Sequence, residues 1–321
     1  MVHTSAVPPP KASLRGRARN KLRLMGRFWQ LYLLLLPPII TTFIRHYIPL
    51  YGVLIGFKDY SSKLGILGSP WYGLGHFQWF FSRPSFYAIL WNTIRISLYS
   101  FATFPCAIIF ALMINELTNR AFKKTVQMIS YMPHFISTVV VCSMIHMFFN
   151  ASTGVVNQII RSLGGQPVEF LYSTTAFDHL YIWSGVWQGL GWGTIIYLAN
   201  LSNVSPDLIE AARLDGASRM DIVIHVNIPT ILPTIVIMLI LRIGSIMGVG
   251  FEKVFLLQTQ RNISVSRVIS TYVYELTLGS GGSTTYWDTS TAIGQFNSIV
   301  NLLLIIMTNT IARRISEITL W

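Results

Sequence analysis

Residues able to do chemistry are few in this chain, and they gather at three places. Between Ser205 and Pro233, in "SPDLIEAARLDGASRMDIVIHVNIPTILP", Asp207, Glu210, Asp215 and Asp221 stand with Arg213 and Arg219 around an Ala211-Ala212 pair and Gly216. Arg95 and Arg242 each lie inside a long apolar run, where a cation must face protein or a water-filled path. Trp183 and Trp187, four apart in "LYIWSGVWQGLGWGTIIYLAN", share a helix face and offer flat apolar contact.

Other chemistry is missing. No segment matches G-x-x-x-x-G-K-[ST], the loop that cradles nucleotide phosphates, and "GSGGST" at 279–284 reads as a flexible turn without the lysine. There is no H-E-x-x-H. His134 and His146 read as packed or interfacial side chains, and Cys106 and Cys142 as packing residues rather than a disulfide framework. No catalytic residues, metal ligands or cofactor-binding residues are expected. If this chain moves something uphill, the energy comes from elsewhere.

The elements that must position these groups are helices in a bilayer. Of 321 residues, 52% are hydrophobic and 11% charged, against about 25% charged for a soluble domain. Barrel-type alternation is absent, and open sheet edges cannot face lipid, so the fold class is an all-α polytopic bundle. Six spans are expected at about 28–50, 88–113, 126–149, 180–200, 230–250 and 290–312. Residues 1–27 are expected to form a basic, disordered tail ahead of a transmembrane region at 28–321. The only acidic residue assigned to these spans is Glu116, at most at the edge of the second.

Fourteen of the 24 Lys and Arg fall on the side of the tail, the Arg120 loop, the Ser205 segment and the C-terminus. Seven (Lys58, Lys63, Arg83, Arg161, Lys253, Arg261, Arg267) fall on the other. The positive-inside rule then puts both termini in the cytoplasm. It also accounts for most of the +12 net charge without nucleic acid.

Within the cytoplasmic loop 201–229, Ser205-Pro206-Asp207 is a helix start: a capping hydroxyl, proline at the first position and an acid near the positive dipole end. Gly216 is expected to stop that helix, and "SRMDIVIHVN" to form a second one ended by Pro229. Leu208, Ile209, Ala212 and 222–226 supply apolar surface. The segment is acidic on balance, which disfavours an amphipathic helix lying on anionic lipid and favours a knob for a protein cleft.

"EAARLDGA" followed by "NIP" resembles the EAA loop of ABC-importer permeases, with Val226 and Ile228 as conservative departures. "YGVLIGFKDY", "SPWYGLGHFQWFF", "NTIRIS", "ALMINEL", "YMPHFISTVVV", "GFEKVFLL", "ISTYVYE" and "TAIGQF" extend the similarity over nearly the whole chain. They resemble the subclass that imports oligosaccharides, including pectin- and alginate-derived ones.

This resemblance implies a type I ABC importer permease fold in the bacterial inner membrane. It implies a second permease subunit, often a different chain, two cytoplasmic ATPases that carry the ATP and Mg, and an extracytoplasmic solute-binding protein. The chain itself would be a non-catalytic permease. Glu210, Ala211, Ala212, Asp215, Gly216 and Pro229 would then form the ATPase-coupling contact.

For the oligosaccharide path the candidates are Trp187, Trp183, Arg242, Arg95, Asn92, Gln188 and Asn297. Either arginine could meet a uronate, snorkel or bond backbone carbonyls; the amides could equally be interhelical hydrogen bonds. Gly185, Gly189 and Gly193 are expected to let helices pack closely. The competing classes are an ion-coupled transporter, which needs inverted repeats or intramembrane carboxylates, and a membrane scaffold, which leaves the acidic loop unexplained.

Overall fold

The computed structural model describes residues 26, 28–279 and 286–315; the remainder of the basic tail and of "GSGGST" lies outside them. Two compact units divide between Leu54 and Ile55. In the first, α1 (Trp29–Thr42) runs on through a π turn, Phe43–Tyr47, and into a 3-10 stretch, Ile48–Phe57, whose last three residues belong to the second. Pro37 and Pro38 sit inside it, and Thr41 Oγ1 donates to the Pro37 carbonyl at 2.8 Å. Residues 28–51 are all exposed. A helix apolar on every side is stable only in lipid or against another chain.

The second unit is all helical among its described residues, apart from one isolated antiparallel bridge, Lys58 to Trp71. Ser85–Asn115 is one long apolar stretch jointed at Thr103 into α2 (Ser85–Ala102) and α3 (Phe104–Asn115). The joint follows from Pro105, which sits in the first turn of α3 where its missing N–H costs nothing.

The expected third span is not one helix. α4 (Arg120–Tyr131) passes through a 3-10 turn to Phe135, and α5 (Thr138–Phe148) leaves at 98°. Ile136 and Ser137 are extended, and Ser137 Oγ accepts from Val140 N to start α5 afresh. Gln188 Nε2 donates to the Ile136 carbonyl at 2.7 Å and so satisfies an acceptor freed by the break.

α6 (Ala176–Leu201) packs along α3 and touches α4 and the later helices, so it is the central post. Its 26 residues span about 39 Å. By length and composition four described helices can cross a membrane, five with the bent pair. α6 is long enough to be the sixth of the expected spans, but it is less apolar.

Within the expected glycine stripe Gly193 makes a close approach of α6 to a neighbouring helix, but the tightest one lies outside the stripe. Gly191 makes it: a Cβ there would stand 2.2 Å from the Ser130 carbonyl oxygen of α4. Gly189 meets nothing within 4 Å, and Gly193 makes only a tight contact with Ala107.

The loop is organised as α7 (Pro206–Leu214) and α8 (Arg219–Ile222). Pro229 does not end the second of these. The chain continues through a π turn, Val223–Asn227, into α9 (Ile228–Gly244), with Pro229 in the first turn of α9. The wider π turn takes up the proline, whose ring would clash with a carbonyl in an unbroken α-helix. α10 (Phe251–Leu257) and α11 (Trp287–Ile315) complete the frame, with Gly244 of α9 packed on Ile305 of α11.

Candidate functional site

The loop is an elbow of two short helices with matched caps. Ser205 Oγ accepts from Asp207 N at 3.3 Å, with Pro206 in the first turn. At the other end Gly216 has φ +84°, Gly216 N donates to Arg213 O at 3.1 Å and Ala217 N to Ala212 O at 2.9 Å. Those paired bonds are the Schellman closure that a left-handed glycine permits. Ser218 and Asp221 then form a capping box, with Ser218 N to Asp221 Oδ2 at 2.9 Å and Asp221 N to Ser218 Oγ at 3.2 Å. Only the short Gly216-Ala217 joint separates the two caps.

Glu210, Ala211 and Asp215 are exposed on this elbow, and Ala212 is half-buried. Ile209 is half-buried and Ile222 buried, so they brace the elbow instead of presenting it. Leu214, 89% exposed, and Met220, 64% exposed, join Leu208 as its apolar face. The sequence reading missed both. Their signal was an apolar side chain within an otherwise polar turn. At the return to α9, buried Asn227 donates to Glu116 Oε1 at 3.4 Å and ties the elbow to the end of α3.

The pathway candidates separate into distinct places. Arg242 and Gln188 line a cavity of about 560 Å³ between α3, α6 and α9, together with Ser100, Tyr181, Ser245 and Lys253. Gly185 and Gly189 also line it, so these glycines leave room rather than close helices together. Arg242 Nη2 donates to Ser100 Oγ at 2.5 Å and meets no carboxylate among the described residues.

Trp183 and Trp187 occupy a different face. They line an apolar groove of about 510 Å³ with Met144, Phe148 and Leu180. Trp183 and Gly185 are two residues apart and so point about 200° apart on a helix. Trp183 Nε1 donates to Tyr99 Oη at 2.9 Å, which in turn bonds His179 Nδ1.

Arg95 and Asn92 are joints. Because α6 begins at Ala176, Asp178 lies within its first turn, a helical acid beyond Glu116. Asp178 pairs with Arg95 at 2.7 Å, and Arg95 Nη2 also donates to Val265 O at 2.8 Å. Asn92, 3% exposed, donates to the Ser264 and Arg267 carbonyls. Asn297 on α11 has a buried Oδ1 without a hydrogen-bond partner among the described residues. His134 stacks on Trp192 at 4.4 Å, and His146 Nε2 meets the Leu256 carbonyl.

Lys253 is the residue of the cavity that sequence reasoning passed over as a loop cation. Its Nζ lies 5.2 Å over the Tyr181 ring and 3.3 Å from where a Cβ at Gly185 would stand. Tyr181 Oη accepts from Gly250 N at 3.2 Å, fixing the start of α10 and hence Lys253. Burial pushes the Lys253 ammonium down to about 8.

An all-helical frame with an acidic, doubly capped elbow and a separate cavity that two cations line is the form of a transport subunit driven from outside itself. Residues 103–317 match the family described as "Binding-protein-dependent transport system inner membrane component", and the chain belongs to that family.

Among its relatives, Protein LplB of Bacillus subtilis (strain 168) is 40% identical over 303 residues, covering 94% of each chain. The polygalacturonan/rhamnogalacturonan transport system permease protein YteP of the same organism is 40% identical, covering 89% of this chain and 88% of that one. A chain in the crystal structure of a bacterial alginate ABC transporter, in complex with alginate pentasaccharide-bound periplasmic protein, superposes with a TM-score of 0.83. It is 37% identical, covering 93% of this chain and 99% of that one. Membership of this family displaces the ion-coupled and scaffold alternatives.

Proposed function

We propose that this chain is one of two permease subunits of an ATP-driven importer for oligosaccharides that carry uronic acids. Its termini face the cytoplasm, and it catalyses no reaction of its own. Two cytoplasmic ATPases, which hold the ATP and Mg, dock on the 206–216 elbow, and an extracytoplasmic binding protein delivers the sugar. The observation that carries this reading is the elbow: Glu210 exposed beside Leu208 and Leu214, on a helix capped at both ends. Rigid caps let a short helix transmit displacement instead of absorbing it.

The acidic substrate class is supported by relatives. One is named for polygalacturonan and rhamnogalacturonan, another is described as importing the acidic polysaccharide alginate. In proteoliposomes holding the complete complex, loaded binding protein and ATP together should drive uptake of oligogalacturonate. Glu210→Lys should abolish both uptake and substrate-stimulated ATP hydrolysis while the complex keeps its melting temperature. Unchanged uptake in that variant would remove the coupling role, and uptake that needs an ion gradient but no ATP would remove the whole reading.

A further inference from the structure

The cations of this protein are treated in two ways. Arg95, Arg261 and Arg267 each have a carboxylate partner: Asp178 at 2.7 Å, Glu169 at 2.8 Å and Glu275 at 2.9 Å. Arg242 and Lys253 have none among the described residues, although both line the same cavity. No described Asp or Glu lines that cavity at all. Arg242 uses one nitrogen on Ser100, through its hydroxyl and its carbonyl, and Lys253 Nζ rests on the Tyr181 ring without a hydrogen-bond acceptor among the described residues. A guanidinium carries five donors and an ammonium three, so most of this donor capacity has no partner among the described residues.

Two cations without a described carboxylate partner beside one largely apolar cavity each resist desolvation. A fold tolerates that where an anion is meant to arrive. Room for one is built in. Gly189 has nothing within 4 Å, and any side chain at Gly185 would press on the Lys253 ammonium. Tyr181 touches both parts of the arrangement: Lys253 lies over its ring, and it shares with Arg242 a recess of about 160 Å³ opening beside Ser100.

We propose that Arg242 and Lys253 together form a carboxylate subsite in the translocation cavity, and that Lys253 is the residue that makes transport selective for charged over neutral oligosaccharides. The inference rests on the uronate reading given above. It adds the place where the charge is read and a residue, outside the membrane-spanning helices, that reads it. The Arg242 fork suits two oxygens of one carboxylate, and Lys253 supplies a compact point charge to the same group. The aromatic groove on the far side of α6 takes no part in this selection.

The test uses the complete reconstituted complex with two probes of equal chain length, trigalacturonate and its full methyl ester, which differ in charge. In Lys253→Met the KM for uptake of trigalacturonate should rise about tenfold, the size of one charge-assisted hydrogen bond, with the ester unaffected. Lys253→Arg, which keeps the charge, should restore most of the selectivity, and Arg242→Gln combined with Lys253→Met should lose it altogether. Equal loss for both probes, with melting temperature retained, would make Lys253 a structural cation and overturn the proposal. So would unchanged selectivity, or selectivity that depends on anionic lipid in the vesicles, which would assign the cations to a lipid phosphate. A native complex that imports neither probe would instead refute the uronate reading beneath it.

Discussion

The elbow and the cavity solve opposite problems. In the elbow every backbone end is closed locally, by Ser205, by the Gly216 turn and by the Ser218–Asp221 box, while its functional side chains stand exposed. In the cavity the groups come from α2, α3, α6, α9 and α10, and two cations are left without counter-charge among the described residues. A part that transmits force must be stiff within itself and needs only a partner to push it. A part that admits a charged solute must be held open by distant elements and left electrostatically incomplete. Strength is thus concentrated in the frame around the cavity and in the caps of the elbow, with very little in the residues that do the selecting.

The packing of α6 is the first place to challenge that contrast. Gly191→Leu forces a side chain into the Ser130 carbonyl and should cost about 3 kcal/mol, read as a clear drop in melting temperature of the solubilised complex. If stability held, α6 would not be the fixed post of the frame. Asp178→Asn removes the partner of Arg95 and should cost about 2 kcal/mol, less than a fully buried pair because the side chains are 27% and 17% exposed. The control is Arg242→Gln, which should change stability by less than about 0.5 kcal/mol because it breaks no ion pair among the described residues. Similar losses in the two would erase the distinction between paired frame cations and free cavity ones.

Gly216→Val tests the elbow, since a side chain at φ +84° costs about 1–2 kcal/mol locally. Here the prediction is a stable, assembled complex with poor coupling of ATP hydrolysis to uptake, a split that substitutions in the membrane frame should not show. The smallest effect concerns pH. Lys253 titrates near 8, facing Tyr181 and Cys142, so its charge is present below that pH and lost above it. Between pH about 7 and about 9 the KM for trigalacturonate should rise about threefold in the native complex and stay flat in Lys253→Met. The methyl ester should show no such dependence in either.

Legibility followed the range of the interactions. The Ser205 cap, Pro206 at the first helical position and the stop at Gly216 were readable because each is decided within a few residues. The apolar runs were readable because lipid demands them. Even here neighbours intervened: Pro229 was read as a terminator, yet the π turn before it lets the helix continue. Leu214 and Met220 were passed over because exposure depends on which way an elbow turns.

Sequence alone determined that this is a membrane helix bundle with an acidic, capped loop, since composition, hydropathy and caps act locally. Tertiary structure alone decided the rest. It broke the third span at Ile136 and caught the freed carbonyl with Gln188, 52 residues away. It paired Arg95 with Asp178 across 83 positions and left Arg242 and Lys253 around one cavity without a described carboxylate. It set the Gly185 and Gly189 face of α6 on the cavity and the tryptophan face on a separate apolar groove. The physical reason is that a charge is neutralised by whatever stands beside it in space, and the chain brings those neighbours together only when its helices pack.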